Sequence, residues 1–122
     1  MEQQKFSFRS RLKSFSFALS GIREFLIREH NARIHLVATV AVIVAAYAFR
    51  VSNTEWALLA IVTGAVWTTE MLNTCIEKIM DFVDPEEHPL IKSIKDLAAG
   101  AVLAAAFTAV VVGLLIFIPK VS

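Results

Sequence analysis

The 122 residues suit a single domain, but 57% hydrophobic residues and a mean hydropathy of +0.63 exceed what an ordinary water-soluble domain carries. Twelve Lys and Arg against eleven Asp and Glu leave a formal net charge of +1, which excludes a global basic field for nucleic acid. One cysteine, Cys75, excludes an internal disulfide framework and a cysteine-based zinc cluster within one chain. The four scattered glycines exclude the loops GxGxxG and GxxxxGK[ST], so any phosphate site here must use side chains.

In chain order, Phe8, Leu12, Phe15, Leu19, Ile22 and Leu26 recur at steps of four and three, while Arg9, Arg11, Lys13, Ser20 and Arg23 lie off that stripe. This predicts an amphipathic helix over residues 6–30 lying on a membrane surface, its basic residues among the headgroups. The plainer alternative is a soluble amphipathic helix packed on a partner. No compact apolar core followed by a small-residue cleavage site marks a signal peptide.

Three stretches without charge, or nearly so, follow. Residues 34–49, between Arg33 and Arg50, are short for a span, but both arginines can snorkel and the polar Ser52, Asn53 and Thr54 follow. Residues 56–76 are apolar apart from Thr, Asn and a single acid, Glu70. Residues 97–119 carry no charge and meet the requirement of roughly 20 apolar residues for a spanning helix. The expected fold is therefore an all-α membrane protein, with a surface helix and transmembrane helices over residues 34–52, 56–80 and 94–119, one domain over 1–122. The alternative is a buried helical bundle in water, which three such stretches in a short chain disfavour.

With three spans the termini face opposite sides. All the Lys and Arg except Arg50 and Lys120 then fall on one side. The positive-inside rule puts the N-terminal helix and residues 78–96 in the cytoplasm.

Helical spacing places Asn73, Thr74, Glu77 and Asp81 all within about 60° of Glu70 around the axis, on one face of the second span. Glu70 and Glu77 are about 10 Å apart along the axis, too far to chelate one ion together. Glu70 sits inside the apolar stretch, where an unpaired carboxylate is costly, so it is a functional candidate by default. Glu77 lies near the interface, where a hard oxygen ligand suits Mg²⁺. Glu29, before the first span on the same side, is the nearest plausible second carboxylate.

Asp84, Pro85, Glu86, Glu87, His88 and Pro89 read as a turn whose carboxylates cap the next helix. Lys95 and Asp96 are expected to open that helix, whose N-terminus attracts anions, with Lys95 as a point charge for a nucleotide phosphate. The alternative is that Lys95 marks only the cytoplasmic interface. His88 could touch nucleotide. His35 is expected to anchor at the interface, Cys75 to be a packing residue, and Trp56 and Trp67 to fill interfacial or packing roles. Ala98, Ala99, Gly100, Ala101, Ala104 and Gly113 make the last span slim enough for close helix contact. Three helices cannot surround a charged site alone, so a homo-oligomer is expected.

The run Glu70-Met71-Leu72-Asn73-Thr74-Cys75-Ile76-Glu77, then Asp81, then His88-Pro89-Leu90, then Lys95-Asp96-Leu97-Ala98-Ala99-Gly100-Ala101-Val102, resembles the signature of the small prokaryotic diacylglycerol kinases. The likeness covers nearly the whole chain. It implies a homotrimeric helical bundle in the bacterial inner membrane, which moves the γ-phosphate of MgATP onto a lipid hydroxyl at sites shared between protomers. It makes Glu70 the catalytic base and Glu29 and Glu77 the metal carboxylates. Glu29, Glu77, Asp81, Glu86, Glu87, His88, Lys95 and Asp96 would bind nucleotide, with Asn73 in support, and Arg9, Arg11, Glu70 and Ala99 would meet the lipid. Glu29-His30-Asn31 with Arg33-Ile34-His35, the His88-Pro89-Leu90 turn, the run from Lys95 to Val102 and Phe117-Ile118-Pro119-Lys120 look more like the branch acting on undecaprenol than the one acting on diacylglycerol.

Two rivals belong to other classes. A small proton-coupled transporter also uses a lone intramembrane glutamate, but leaves Glu77, Asp81 and Lys95 without a task. A structural subunit explains the slim last span but not a buried Glu70.

Overall fold

The computed structural model describes residues 6–86 and 88–122. These form four helices, α1 (Phe8–Arg28), α2 (His30–Ala48), α3 (Asn53–Val83) and α4 (Pro89–Val121). The chain groups into two compact units, one ending at Ile34 and the other His35–Ser122.

In the first unit, the Ser7 hydroxyl caps α1 by accepting the Ser10 N–H at 3.1 Å, satisfying one of the donors that every helix start leaves over. Phe25 is its buried residue, while Phe8, Leu12, Phe15 and Leu19 stand exposed. The helix stops at Glu29, whose backbone is extended. Arg33 reaches back to donate to the Ile27 and Leu26 carbonyls, putting a cation on the negative end of the α1 dipole.

The second unit is antiparallel at its α3–α4 pair, which lysine–acid pairs fasten at both ends. Lys120 meets Glu55 at 3.0 Å and Lys95 meets Asp81. Its buried core lies towards the Glu55 end, where Ala46, Val51, Leu59 and Ile116 pack with Val42, Trp56, Val112 and Phe117. Edge-to-face rings, Tyr47 on Trp56 at 4.9 Å and Phe49 on Phe117 at 5.9 Å, close that end. The opposite end carries the polar groups.

Helices α2, α3 and α4 are each long and apolar enough to cross a membrane. Their limits differ from the sequence expectation for local reasons. Helix α2 begins at His30 and ends at Ala48, earlier than 52, because Arg50 adopts a left-handed conformation (φ 52°). The Val51 N–H then reaches the Ala46 carbonyl and the Arg50 N–H that of Tyr47, a Schellman closure. Helix α3 starts at Asn53, where Ser52 and Glu55 form a reciprocal capping box. It continues to Val83, beyond the expected 80, and its 31 residues span about 46 Å against a hydrocarbon core of about 30 Å. A membrane anchored at Glu55 therefore contains Glu70 and releases Glu77 and Asp81 into the interface. Helix α4 begins at Pro89 rather than 94 and runs to Val121 rather than 119.

Candidate active site

The polar end of the second unit is built on one face of α3. Glu70 is 4% exposed and Asn73 9% exposed, the buried polar residues of the described chain. The Glu70 carboxylate is thus turned into the protein and not out towards acyl chains. Its Oε2 lies 3.3 Å from Nε2 of His35 on α2. A carboxylate only accepts, so the imidazole nitrogen donates. One turn away along both helices, Trp67 Nε1–H donates to Thr39 Oγ1 at 2.9 Å, and the Thr39 hydroxyl donates to the His35 carbonyl at 2.7 Å. Two polar rungs therefore join α2 to α3 across an otherwise apolar region. The sequence expectation for His35 is an interface anchor; the structure instead gives its ring to Glu70, because α2 and α3 bring the two residues to one level.

Asn73 donates from Nδ2 to Glu77 Oε1 at 3.2 Å. Its Oδ1 is buried and has no hydrogen-bond partner, an acceptor of the kind that costs about 1–3 kcal/mol when unmet. Glu77 itself is exposed. A further turn on, Asp81 takes the Lys95 ammonium, while Lys92 pairs with Asp96 at 2.6 Å. Two lysines and two aspartates thus gather where α3 and α4 leave the apolar layer.

Two expectations about this end are corrected. Lys95 does not open a helix: α4 starts at Pro89, whose fixed φ suits the first helical position, so Lys95 lies inside α4. Among the described residues, the carboxylates of the turn do not cap α4 either. His88 does, its Nδ1 accepting the Leu90 N–H at 3.1 Å. Asp84 instead ends α3 and accepts the Glu86 N–H at 2.9 Å. Glu87 lies outside the described residues.

The remaining candidates are placed as follows. Glu29, in the first unit, is half-buried at the end of α1. Arg9 and Arg11 are exposed on the first turns of α1, and the Arg11 guanidinium lies 5.2 Å from the Phe6 ring centroid. Ala99 is exposed on α4. His35, Thr39, Trp67 and Lys92 take part in the geometry although the sequence reading gave none of them a site role. A lone acid within a span asks for a named partner, and His35 is the histidine of the stretch 34–49; that signal was available.

An apolar groove of about 440 Å³ runs between α2, α3 and α4, with Val42, Leu59, Val66, Ala109 and Phe117 among its walls and His35, Thr39 and Trp67 at one end. It leads from the core end of the unit to the first polar rung. Among the described residues, no three or more His, Cys, Asp or Glu converge as a metal cage.

The chain matches the family described as Prokaryotic diacylglycerol kinase over residues 16–117. It is 40% identical to the undecaprenol kinase of Bacillus subtilis (strain 168), over 88% of each chain. It is also 40% identical to a diacylglycerol kinase of Synechocystis, over 88% of this chain and 62% of that protein, and 31% identical to the diacylglycerol kinase of Escherichia coli K12 over 82% of each. The chain therefore belongs to the prokaryotic diacylglycerol kinase family.

Proposed function

We propose that this lipid kinase transfers the γ-phosphoryl group of ATP to the hydroxyl of a lipid alcohol, undecaprenol ahead of diacylglycerol. The site faces the cytoplasm from a bacterial inner membrane, in a homotrimer whose protomers share active sites. The observation that carries the reading is Glu70, a carboxylate buried within an apolar stretch yet facing other protein groups, on the helix that brings Glu77 and Asp81 to the polar edge. A hydroxyl delivered from the bilayer and a nucleotide delivered from water meet at such a boundary.

Glu70 accepts the hydroxyl proton, the lipid oxygen bonds to the γ-phosphorus, the bond to the bridging oxygen breaks, and ADP leaves. Little covalent help is needed, so alignment and charge neutralisation carry most of the rate. Lys95 exchanges Asp81 for phosphate oxygens, with Asp96, Glu86, Glu87 and His88 around the nucleotide. The groove ending at His35 and Trp67 offers the lipid chain a route, and Arg9, Arg11 and Ala99 complete the lipid contacts.

Asn73 Oδ1 is an unpartnered oxygen, and the Glu77 carboxylate is held by the same residue's Nδ2; hard oxygens of this kind fit Mg²⁺, which completes its shell with water and substrate phosphates. Glu77 and Glu29 are its proposed carboxylates, and Mg²⁺ when bound neutralises charge on the phosphates. The undecaprenol preference rests on the segments Glu29-His30-Asn31, His88-Pro89-Leu90 and Phe117-Ile118-Pro119-Lys120. The proton-coupled transporter has nothing in the relatives behind it.

The test is ATP consumption by detergent-purified protein with undecaprenol or diacylglycerol supplied side by side. ADP is expected only when a lipid alcohol is present, with undecaprenol the faster. Turnover indifferent to lipid would refute the kinase reading, and faster turnover on diacylglycerol would reverse the preference.

A further inference from the structure

His35 has no task in the mechanism above, yet its ring is the group set against Glu70, Nε2 to Oε2 at 3.3 Å. The pair is well enclosed, with side-chain exposures of 23% and 6%. The Trp67 ring lies beside the imidazole, 6.3 Å away centroid to centroid, and limits its rotation. The Thr39 bonds to the His35 carbonyl and from the Trp67 indole N–H join the helices one turn away without touching the imidazole. Glutamate has three rotatable side-chain bonds, and a helix fixes mainly the first of them. A donor that is itself immobilised fixes the others.

We infer that His35 is a positioning residue: its Nε2–H pins one carboxylate oxygen of Glu70 and so sets the plane in which the carboxylate meets the lipid hydroxyl. The inference rests on the reading of Glu70 as the base. Of the charges nearby, Glu77 accepts from Asn73 and Lys95 donates to Asp81, while His35 reaches Glu70 from the facing helix. Misplacing a reacting group by about 1 Å costs on the order of 100-fold, which sets the scale of the effect.

The experiment compares kcat and the KM for MgATP in four variants, with thermal stability in detergent recorded for each. His35→Phe keeps a ring against Trp67 but has no donor, and kcat is expected to fall roughly 30-fold with the KM for MgATP unchanged. His35→Gln keeps an N–H donor and should stay within about fivefold of the parent kcat. Thr39→Val breaks the second rung only, and is expected to lower thermal stability while leaving kcat within about threefold. Glu70→Gln reports on the base itself and should have no measurable turnover. An unchanged kcat in His35→Phe, equal losses in His35→Phe and His35→Gln, or a Thr39→Val loss as large as that of His35→Phe each overturns the inference while Glu70→Gln remains inactive. Turnover in Glu70→Gln overturns the reading of the base, and the inference with it.

Discussion

Replacing Glu70 with Gln keeps the side chain's size and an oxygen that accepts from His35, while removing its capacity to take a proton. General-base removal costs about 100- to 10,000-fold, so lipid-dependent ADP release should disappear with the melting temperature in detergent little changed. Asn73→Ala separates the same two quantities in another way. It removes one hydrogen bond to Glu77, worth about 1 kcal/mol, together with a buried unmet acceptor of comparable cost. Stability should therefore shift by less than about 1 kcal/mol, while the Mg²⁺ concentration giving half-maximal activity rises about tenfold. An unaltered metal titration would separate Asn73 and Glu77 from the metal. At this scale the sequence was legible wherever one helix carries the geometry: the helical repeat places Glu70, Asn73 and Glu77 together, and the Asn73–Glu77 bond follows at i,i+4. For the His35–Glu70 contact the sequence offers the two residue types but not their register, which depends on how α2 and α3 are aligned by the turn at Arg50 and the capping box at Ser52.

Helix limits were misjudged where charge was taken as their marker. The expected start of α4 at Lys95 followed the edge of the uncharged stretch, but backbone chemistry decides where a helix begins, and Pro89 after a capping His88 supplies it. His88 consequently has two separable roles. His88→Ala should lower stability by about 1 kcal/mol through the lost cap, and His88→Asn, a strong capping residue, should restore it. If the imidazole also contacts nucleotide, the KM for ATP stays raised in His88→Asn; recovery of both values would leave His88 a cap alone. At the other end of the molecule, Arg50 holds a left-handed backbone that glycine adopts without a steric penalty. Arg50→Gly is expected to raise the melting temperature, by the equivalent of up to about 1 kcal/mol. A lowered value would show that the arginine side chain outweighs the strain of its backbone.

A single copy of this chain leaves most of its apolar surface without a protein neighbour. The most apolar window of α4 is only 6% buried within the chain, and that of α3, which carries the polar face, 22%. Lipid can cover Leu, Val and Phe, but it cannot enclose a nucleotide beside Asp81 and Lys95, which is the task the proposed oligomer would take on with polar groups from outside the protomer. In the proposed homotrimer, each chain would give to one neighbour and receive from the other. This can be checked with two inactive proteins. If Glu29 of one protomer completes a site containing Glu70 of the next, co-expressing Glu70→Gln and Glu29→Gln chains puts an intact Glu29 beside an intact Glu70 at some interfaces. For random mixing in a trimer about one site in four is restored, so the mixture should regain roughly a quarter of parental turnover, measured as lipid-dependent ADP release from co-purified oligomers. Each variant alone should stay inactive, and mixing the two after separate purification in a detergent that does not exchange subunits should restore nothing. Co-purified oligomers without activity would mean that both glutamates act within one protomer.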